Sequence, residues 1–171
     1  MPRRPHRRNI LGFCLLALAL LLLVAAIRHN QTAAQEARLY NLGALVYLSR
    51  PWPQLTDRLA RSPNDFIAHH GPHFIHRVFG EIVAVDFGKR HDVSTVPADR
   101  VVEQLVATKS LRVAMIDGLA LDDAQLARLA SMKNLRELGL RNTKVTADGT
   151  AQIKQMRPDL QVQLLGEGRT R

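Results

Sequence analysis

The sequence predicts an α/β chain: an N-terminal transmembrane helix, an irregular α/β cap, and a small solenoid of parallel strands with helices on their outer side. Three observations predict it. Residues 10–27 carry no charge and are long enough to cross a bilayer. The apolar pairs Ala114/Ile116, Leu138/Leu140 and Val162/Leu164 recur in one phase, 24 residues apart. Between the pairs lie stretches of helical spacing that open on residues suited to capping.

Of the eighteen residues from Ile10 to Ile27, eight are Leu and twelve are Leu, Ile, Val or Phe. As a helix they span about 27 Å at roughly 1.5 Å per residue, and their insertion is favoured by several kcal/mol at about −0.3 to −0.6 kcal/mol each. Arg3, Arg4, Arg7 and Arg8 precede the span, whereas Arg28 and Arg38 follow it. This bias makes 1–9 a basic cytoplasmic tail and places the rest of the chain, after a single pass of the cell membrane, in the periplasm or outside the cell. Val24-Ala25-Ala26 has the small residues of a processing site, but the apolar run exceeds the roughly 7 to 15 residues of an export signal, so an uncleaved anchor is expected. Cys14, the one cysteine, lies inside the span. The exported part therefore has no internal disulfide and is held by its core.

The formal charge of +9 divides unevenly, since four of the 24 basic residues belong to the tail. The other 20 face 15 acidic residues, a balance of +5, and the two signs are interspersed. Nucleic acid is not an expected partner.

Residues 28–80 read as a juxtamembrane helix and cap. Gln31 to Asn41 is rich in good helix formers and extends the membrane helix, and Gly43 ends it. Ala44–Leu48 is a short strand, closed by the breakers Pro51-Trp52-Pro53. Gln54 to Arg61 has helical spacing with Leu55 and Leu59 on one side, and Ser62-Pro63-Asn64-Asp65 is a turn. The β-branched run Glu81–Phe87 is the first strand of the repeat region, with Val83-x-Val85 in the phase of Leu138-x-Leu140. It precedes Ala114-x-Ile116 by 31 residues, and a longer loop at Lys89 to Thr95 takes up the extra seven.

Around the middle pair the full pattern is Leu135-x-x-Leu138-x-Leu140-x-x-Thr143-x-Val145, the signature of a leucine-rich repeat. The repeat domain covers 81–165, and 166–171 is a disordered tail. A helix over Ala98–Ala107, after Pro97, presents Val101, Val102 and Leu105 to the core. Asp122 and Thr146 cap the next two helices, and Gln125 completes a capping box with Asp122. Leu126, Leu129 and Met132 face inward from one; Thr150, Ile153 and Met156 do so from the other. Parallel strands joined through such helices cross over right-handed.

A repeat of this kind buries one side against its neighbours and leaves a face open. With the apolar pairs pointing inward, the residues between them line that face. Aligning the strands by phase gives a row Ile82, Val113, Glu137 and Gln161, a row Ala84, Met115, Gly139 and Gln163, and a row Asp86, Asp117, Arg141 and Leu165. Asp117 and Arg141 stand close enough to pair, and Met115 can repack against different partners. The candidate protein-binding residues are thus Ile82, Ala84, Asp86, Val113, Met115, Asp117, Glu137, Gly139 and Arg141, offering on the order of 800 Å² to a partner, the low end for a specific interface.

His69, His70, His73 and His76 form the other candidate cluster, suited by ligand type to zinc, copper or nickel. Gly71-Pro72 breaks the helical phasing between them, and no Cys completes the set, so no metal or other cofactor is expected. There is no phosphate-cradling glycine loop, nucleophile elbow or His-Glu-x-x-His helix, so the chain is not expected to be an enzyme. The expected role is a membrane-anchored module that recruits or senses a partner protein. A structural or self-associating envelope protein is the alternative, and a metal-binding exterior domain the second.

The layout resembles short bacterial single-pass membrane proteins carrying a degenerate leucine-rich-repeat domain. The likeness rests on Leu42-Gly43-x-x-Val46-Tyr47, on Val83-x-Val85-Asp86-Phe87, and most specifically on the run from Asn134 to Thr146. Such proteins usually read Val-Thr-Asp-Ala-Gly where this chain has Val145-Thr146-Ala147-Asp148-Gly149, which leaves the cap to Thr146 alone. Ala114 also replaces a Leu, and Leu119 stands where Thr143 stands one repeat later. The resemblance implies protein interaction without naming a partner.

Overall fold

The computed structural model describes residues 6–49, 51, 53–61, 63–64, 80–88 and 95–165. They divide into two compact units: the described parts of Met1–Ala33 and Arg50–Gly80 form one, and those of Ala34–Ser49 and Glu81–Arg171 the other. The chain is α/β, with five helices and one five-stranded mixed sheet among the described residues.

The first unit holds most of helix α1 (His6–Asn41) and helix α2 (Pro53–Ala60). From Phe13 onward α1 is the one described helix long and apolar enough to cross a membrane, with a mean hydropathy of 2.0. Its large side chains are uncovered on every side, Phe13 and Ile27 being 77% and 49% exposed. From Phe13 to Ile27 the helix is apolar all round and has no polar stripe. In α2 the buried side chain is Thr56, whose hydroxyl donates to the Pro53 carbonyl, and the expected apolar residue Leu55 is exposed.

In the second unit the last turns of α1 end at Gly43, whose φ of 89° supplies the left-handed turn that a helix exit needs. The chain then enters β1 (Ala44–Leu48), which pairs antiparallel with β2 (Ile82–Phe87). Strands β3 (Val113–Asp117), β4 (Glu137–Arg141) and β5 (Gln161–Leu164) follow in parallel, so the sheet order is that of the sequence. Helices α3 (Ala98–Ala107), α4 (Asp123–Ala130) and α5 (Ala147–Met156) connect β2 to β3, β3 to β4 and β4 to β5.

The 24-residue spacing is realised rung by rung. Ala114, Leu138 and Val162 are successive Cα partners, as are Ile116, Leu140 and Leu164. Behind these rungs Leu105, Leu126, Leu129, Leu135 and Ile153 are buried, and Leu39 of α1 joins the same core with no exposed surface. Two expected core residues lie outside it: Met156 is 57% and Leu164 47% exposed. Both belong to the last strand–helix unit, and no further described unit covers them.

The register of β2 differs from the one the phase implies. Val85 pairs with Ala114 and Phe87 with Ile116, so Val85-x-Phe87, not Val83-x-Val85, continues the inner rungs. A register irregularity sets Tyr47 opposite Ala84 but Leu48 opposite Ile82, leaving Val83 as an extra residue in β2. Such a bulge reverses the alternation on its far side. Ile82 therefore turns inward and is 2% exposed, a core residue and not part of the open face.

Within the second unit, side chains reach back from each strand–helix segment to the backbone of the preceding one. The Ser110 hydroxyl donates to the Ile82 carbonyl at 2.8 Å, and the Asn134 amide to the Lys109 carbonyl at 2.7 Å. The next position in this series, Pro158, has no donor. Arg157 beside it takes the role, donating to the carbonyls of Ala130 at 2.6 Å, Met132 at 3.2 Å and Leu135 at 3.3 Å.

The helix starts are linked in the same way. Asp122 and Gln125 form the reciprocal capping box, and the Gln125 amide also donates to Asp99 of α3. Asp123 accepts from the Thr146 backbone N–H at 2.9 Å and hydroxyl at 2.7 Å, and both bonds, the backbone one first, hold its carboxyl below the ordinary carboxylate range. Thr146 in turn accepts from the Gly149 N–H at 3.0 Å. A Cβ at Gly149 would run into the Asp123 carboxylate. Gly149→Ala is thus expected to destabilise the native chain although alanine is the better helix former. In an Asp123→Ala background the same change should stabilise, by up to about 1 kcal/mol, so unfolding curves of the four chains should show a reversal of sign.

Candidate interaction surface

The side of the sheet opposite the helices presents the residues that alternate with the inner rungs. Its first row is Tyr47, Ala84, Val113, Glu137 and Gln161, and its second Leu45, Asp86, Met115, Gly139 and Gln163. Asp117 pairs with Arg141 in a third. Asp86 therefore stands beside Met115 and not beside Asp117, two residues away from its expected place. Gly88, with φ of 108°, approaches Asp117 so closely that a Cβ would lie 2.6 Å from the Asp117 Cβ.

Eight of the nine candidate residues share this face; Ile82 is the one withdrawn from it by the bulge. Val113, Met115 and Glu137 are half-buried, Gln161 and Gln163 are exposed, and Gly139 is buried. The cover on Gly139 is the Met115 thioether, since a Cβ there would meet Met115 Sδ at 2.5 Å and the Leu165 side chain at 3.5 Å. Glycine makes the shelf on which Met115 lies. Methionine fits that position because its unbranched stem can lift away without moving the backbone.

At the edge where the strands end, Arg141 Nη1 lies 3.7 Å from Asp117 Oδ2, and the Asn142 amide donates to Asp117 Oδ1 at 2.8 Å. Asn142 has φ of 51° and stands 24 residues after Gly118, whose φ is 76°, so one left-handed exit follows both strands. The ion pair is long and its side chains are 41% and 35% exposed, which leaves it worth little in stability. Arg141 Nε is buried and has no hydrogen-bond partner.

Tyr47 and Leu45 extend the face by one strand, and sequence reasoning placed neither of them there. Both belong to β1, which was expected in the cap. The available signal was Gly43, because a strand following a helix C-terminus through a two-residue turn runs back along that helix and meets β2 from the opposite direction. Tyr47 is 45% exposed and brings the amphipathic aromatic ring that protein interfaces favour.

Five strands about 4.8 Å apart and five residues of about 3.3 Å each make this face roughly 24 by 16 Å. That is narrower than the area expected from the sequence.

Comparison of the chain with protein-family models, with curated proteins and with solved structures finds no match. The likeness to repeat-bearing bacterial membrane proteins accordingly rests on the quoted residues alone. His69, His70, His73 and His76 lie outside the described residues, and among the described residues no three His, Cys, Asp or Glu side chains come together to hold a metal ion.

Proposed function

We propose that this chain is a membrane-anchored leucine-rich-repeat module, displayed outside the cytoplasm, whose open sheet face recruits or senses a partner protein without catalysing a reaction. The observation that carries this reading is the sheet face opposite the helices, over which no described helix or strand lies. A soluble domain can coat such a face with charge; here its middle is Ala84, Val113, Met115 and Gly139, with Tyr47 at one side and the part-exposed Asp117–Arg141 pair at the other. Apolar centre and polar rim are the anatomy of a protein interface.

The small footprint implies a weak single contact, strengthened where several copies share a membrane. The apolar helix and the arginine bias before it support the single-pass anchor with its N-terminus in the cytoplasm. The 24-residue rungs, with Ser110 and Asn134 hooking successive units together, support the repeat reading.

Self-association is the second reading. It is favoured by β5, one of the two edge strands of the described sheet, which leaves Leu164 half-exposed.

A photo-crosslinking residue placed at position 113 in the full chain, in intact cells, separates the two. Recruitment predicts adducts with a different protein that disappear on Met115→Arg, while a probe at the outer-helix residue Gln152 stays silent. Adducts of the chain with itself alone favour the second reading, and equal labelling from positions 113 and 152 contradicts both.

A further inference from the structure

Among the described connections of the second unit, the charges differ between its two edges. At the edge where the parallel strands begin, the described connections carry Lys109, Arg112, Lys133, Arg136 and Arg157 against Glu81 and Asp159, a balance of +3. At the opposite edge the described connections carry Asp122 against Lys144, a balance of zero. Lys109, Arg112 and Lys133 are exposed, and among the described residues no carboxylate lies within ion-pair distance of them. Two shallow depressions open between these side chains. One, of about 290 Å³, has Lys109, Lys133 and Asn134 beside Val106 and Met132, and the other, of about 520 Å³, has Lys133, Arg136 and Arg157 with the carboxylate of Asp159 and the side chain of Met156.

The chain enters the second unit at this same edge. The Gln35 amide of α1 donates to the Ala107 carbonyl at 3.1 Å and to the Thr108 hydroxyl at 3.2 Å, where α3 ends. Gln35 is eight residues past Ile27, the last apolar residue of the span. Eight residues reach no more than about 29 Å even when fully extended. Chain connectivity alone therefore keeps Gln35, and the end of α3 that it bonds, within that distance of the end of the apolar span.

We propose that this edge docks on the anionic headgroups of the membrane that holds the anchor, with the lysines and arginines on lipid phosphates. The inference rests on the anchored reading. Basic side chains next to an anionic surface gain attraction that adds from residue to residue, and on a surface as anionic as the phosphatidylglycerol-bearing vesicles below a net of three shifts the docked-to-free ratio by on the order of a hundredfold. Docking also holds the open sheet face in a fixed attitude to the membrane, so partners in that membrane meet it pre-oriented.

The test uses the full chain with Cys14→Ser, labelled with a fluorophore through Ser131→Cys at the basic edge or Ala120→Cys at the opposite one. Each is reconstituted into vesicles of phosphatidylcholine alone or mixed with phosphatidylglycerol, with nitroxide quencher on a fraction of the headgroups. The expected result is strong quenching at position 131 in the anionic vesicles only, abolished by salt near ~1 M and by Lys109→Glu with Lys133→Glu, while position 120 stays unquenched. Equal quenching of position 131 in both compositions, or stronger quenching at position 120, overturns the proposal while leaving the anchor intact. A chain that does not float with either vesicle overturns the anchored reading and this inference together.

Discussion

Leu138→Ala is expected to lower the unfolding free energy of the sheet-bearing unit by about 4 kcal/mol, toward the upper part of the range of roughly 2–5 kcal/mol for such truncations. Leu138 has no exposed surface and sits on a central rung between Ala114 and Val162, both smaller than itself. Small neighbours on either side cannot swing in to refill the space, so the cavity persists and the loss of buried surface is not offset. Glu137→Ala, one residue away but on the open face, should change stability by no more than about 0.5 kcal/mol. Denaturant unfolding of the full chain in detergent, followed by far-ultraviolet circular dichroism, measures both. A similar loss for the two variants contradicts the assignment of inner and outer faces.

Arg157→Ala should cost about 2–3 kcal/mol, the largest effect of any charged residue in the unit. Its guanidinium bonds three carbonyls at the end of α4 and the start of β4, and it grips Asp159 through Nε at 2.8 Å and Nη2 at 2.9 Å. Its side chain is 22% exposed, so truncation leaves those carbonyls partly shielded from replacement water. Lysine does not substitute, because an ammonium cannot hold the carboxylate and the carbonyls in one planar fork.

The same cluster sets a pH dependence. Hydrogen bonds from Arg157, with help from Arg136, hold the Asp159 carboxyl at about 2, against an ordinary value of 3.8. A depressed folded value means that its contribution is complete above the ordinary value and is lost as pH falls through the folded one. The melting temperature should therefore decline between pH about 4 and about 2, and this part of the decline should be smaller in Asp159→Asn.

The period of 24 carried most of the fold, because a recurring pair of inward side chains fixes strand, phase and partner together. It predicted the parallel rungs from β3 to β5 and the caps at Asp122 and Thr146. It failed at the ends, where neighbours change. In β2 the sequence Ile82-Val83-Ala84-Val85 is apolar at every position, so alternation alone cannot say which residues point inward, and a bulge at Val83 decides it. At Met156 and Leu164 the phase is kept but the covering unit is not present among the described residues. The candidate face was legible in its middle for the same reason the rungs were. Its β1 side was not, since Tyr47 reaches the face through an antiparallel pairing that no repeat encodes.

The register of neighbouring strands is the claim on which the face depends, and a disulfide measures it directly. In a Cys14→Ser chain, Glu137→Cys with Gln161→Cys places two cysteines on partner Cα positions of β4 and β5, within the roughly 4.4–6.8 Å that a disulfide spans. Glu137→Cys with Gln163→Cys moves one of them two residues along the same face. Rapid oxidative closure of the first pair and slow closure of the second is the predicted result. Preferential closure of the second pair, or equal closure of both, would mean that the rows drawn across this sheet do not exist.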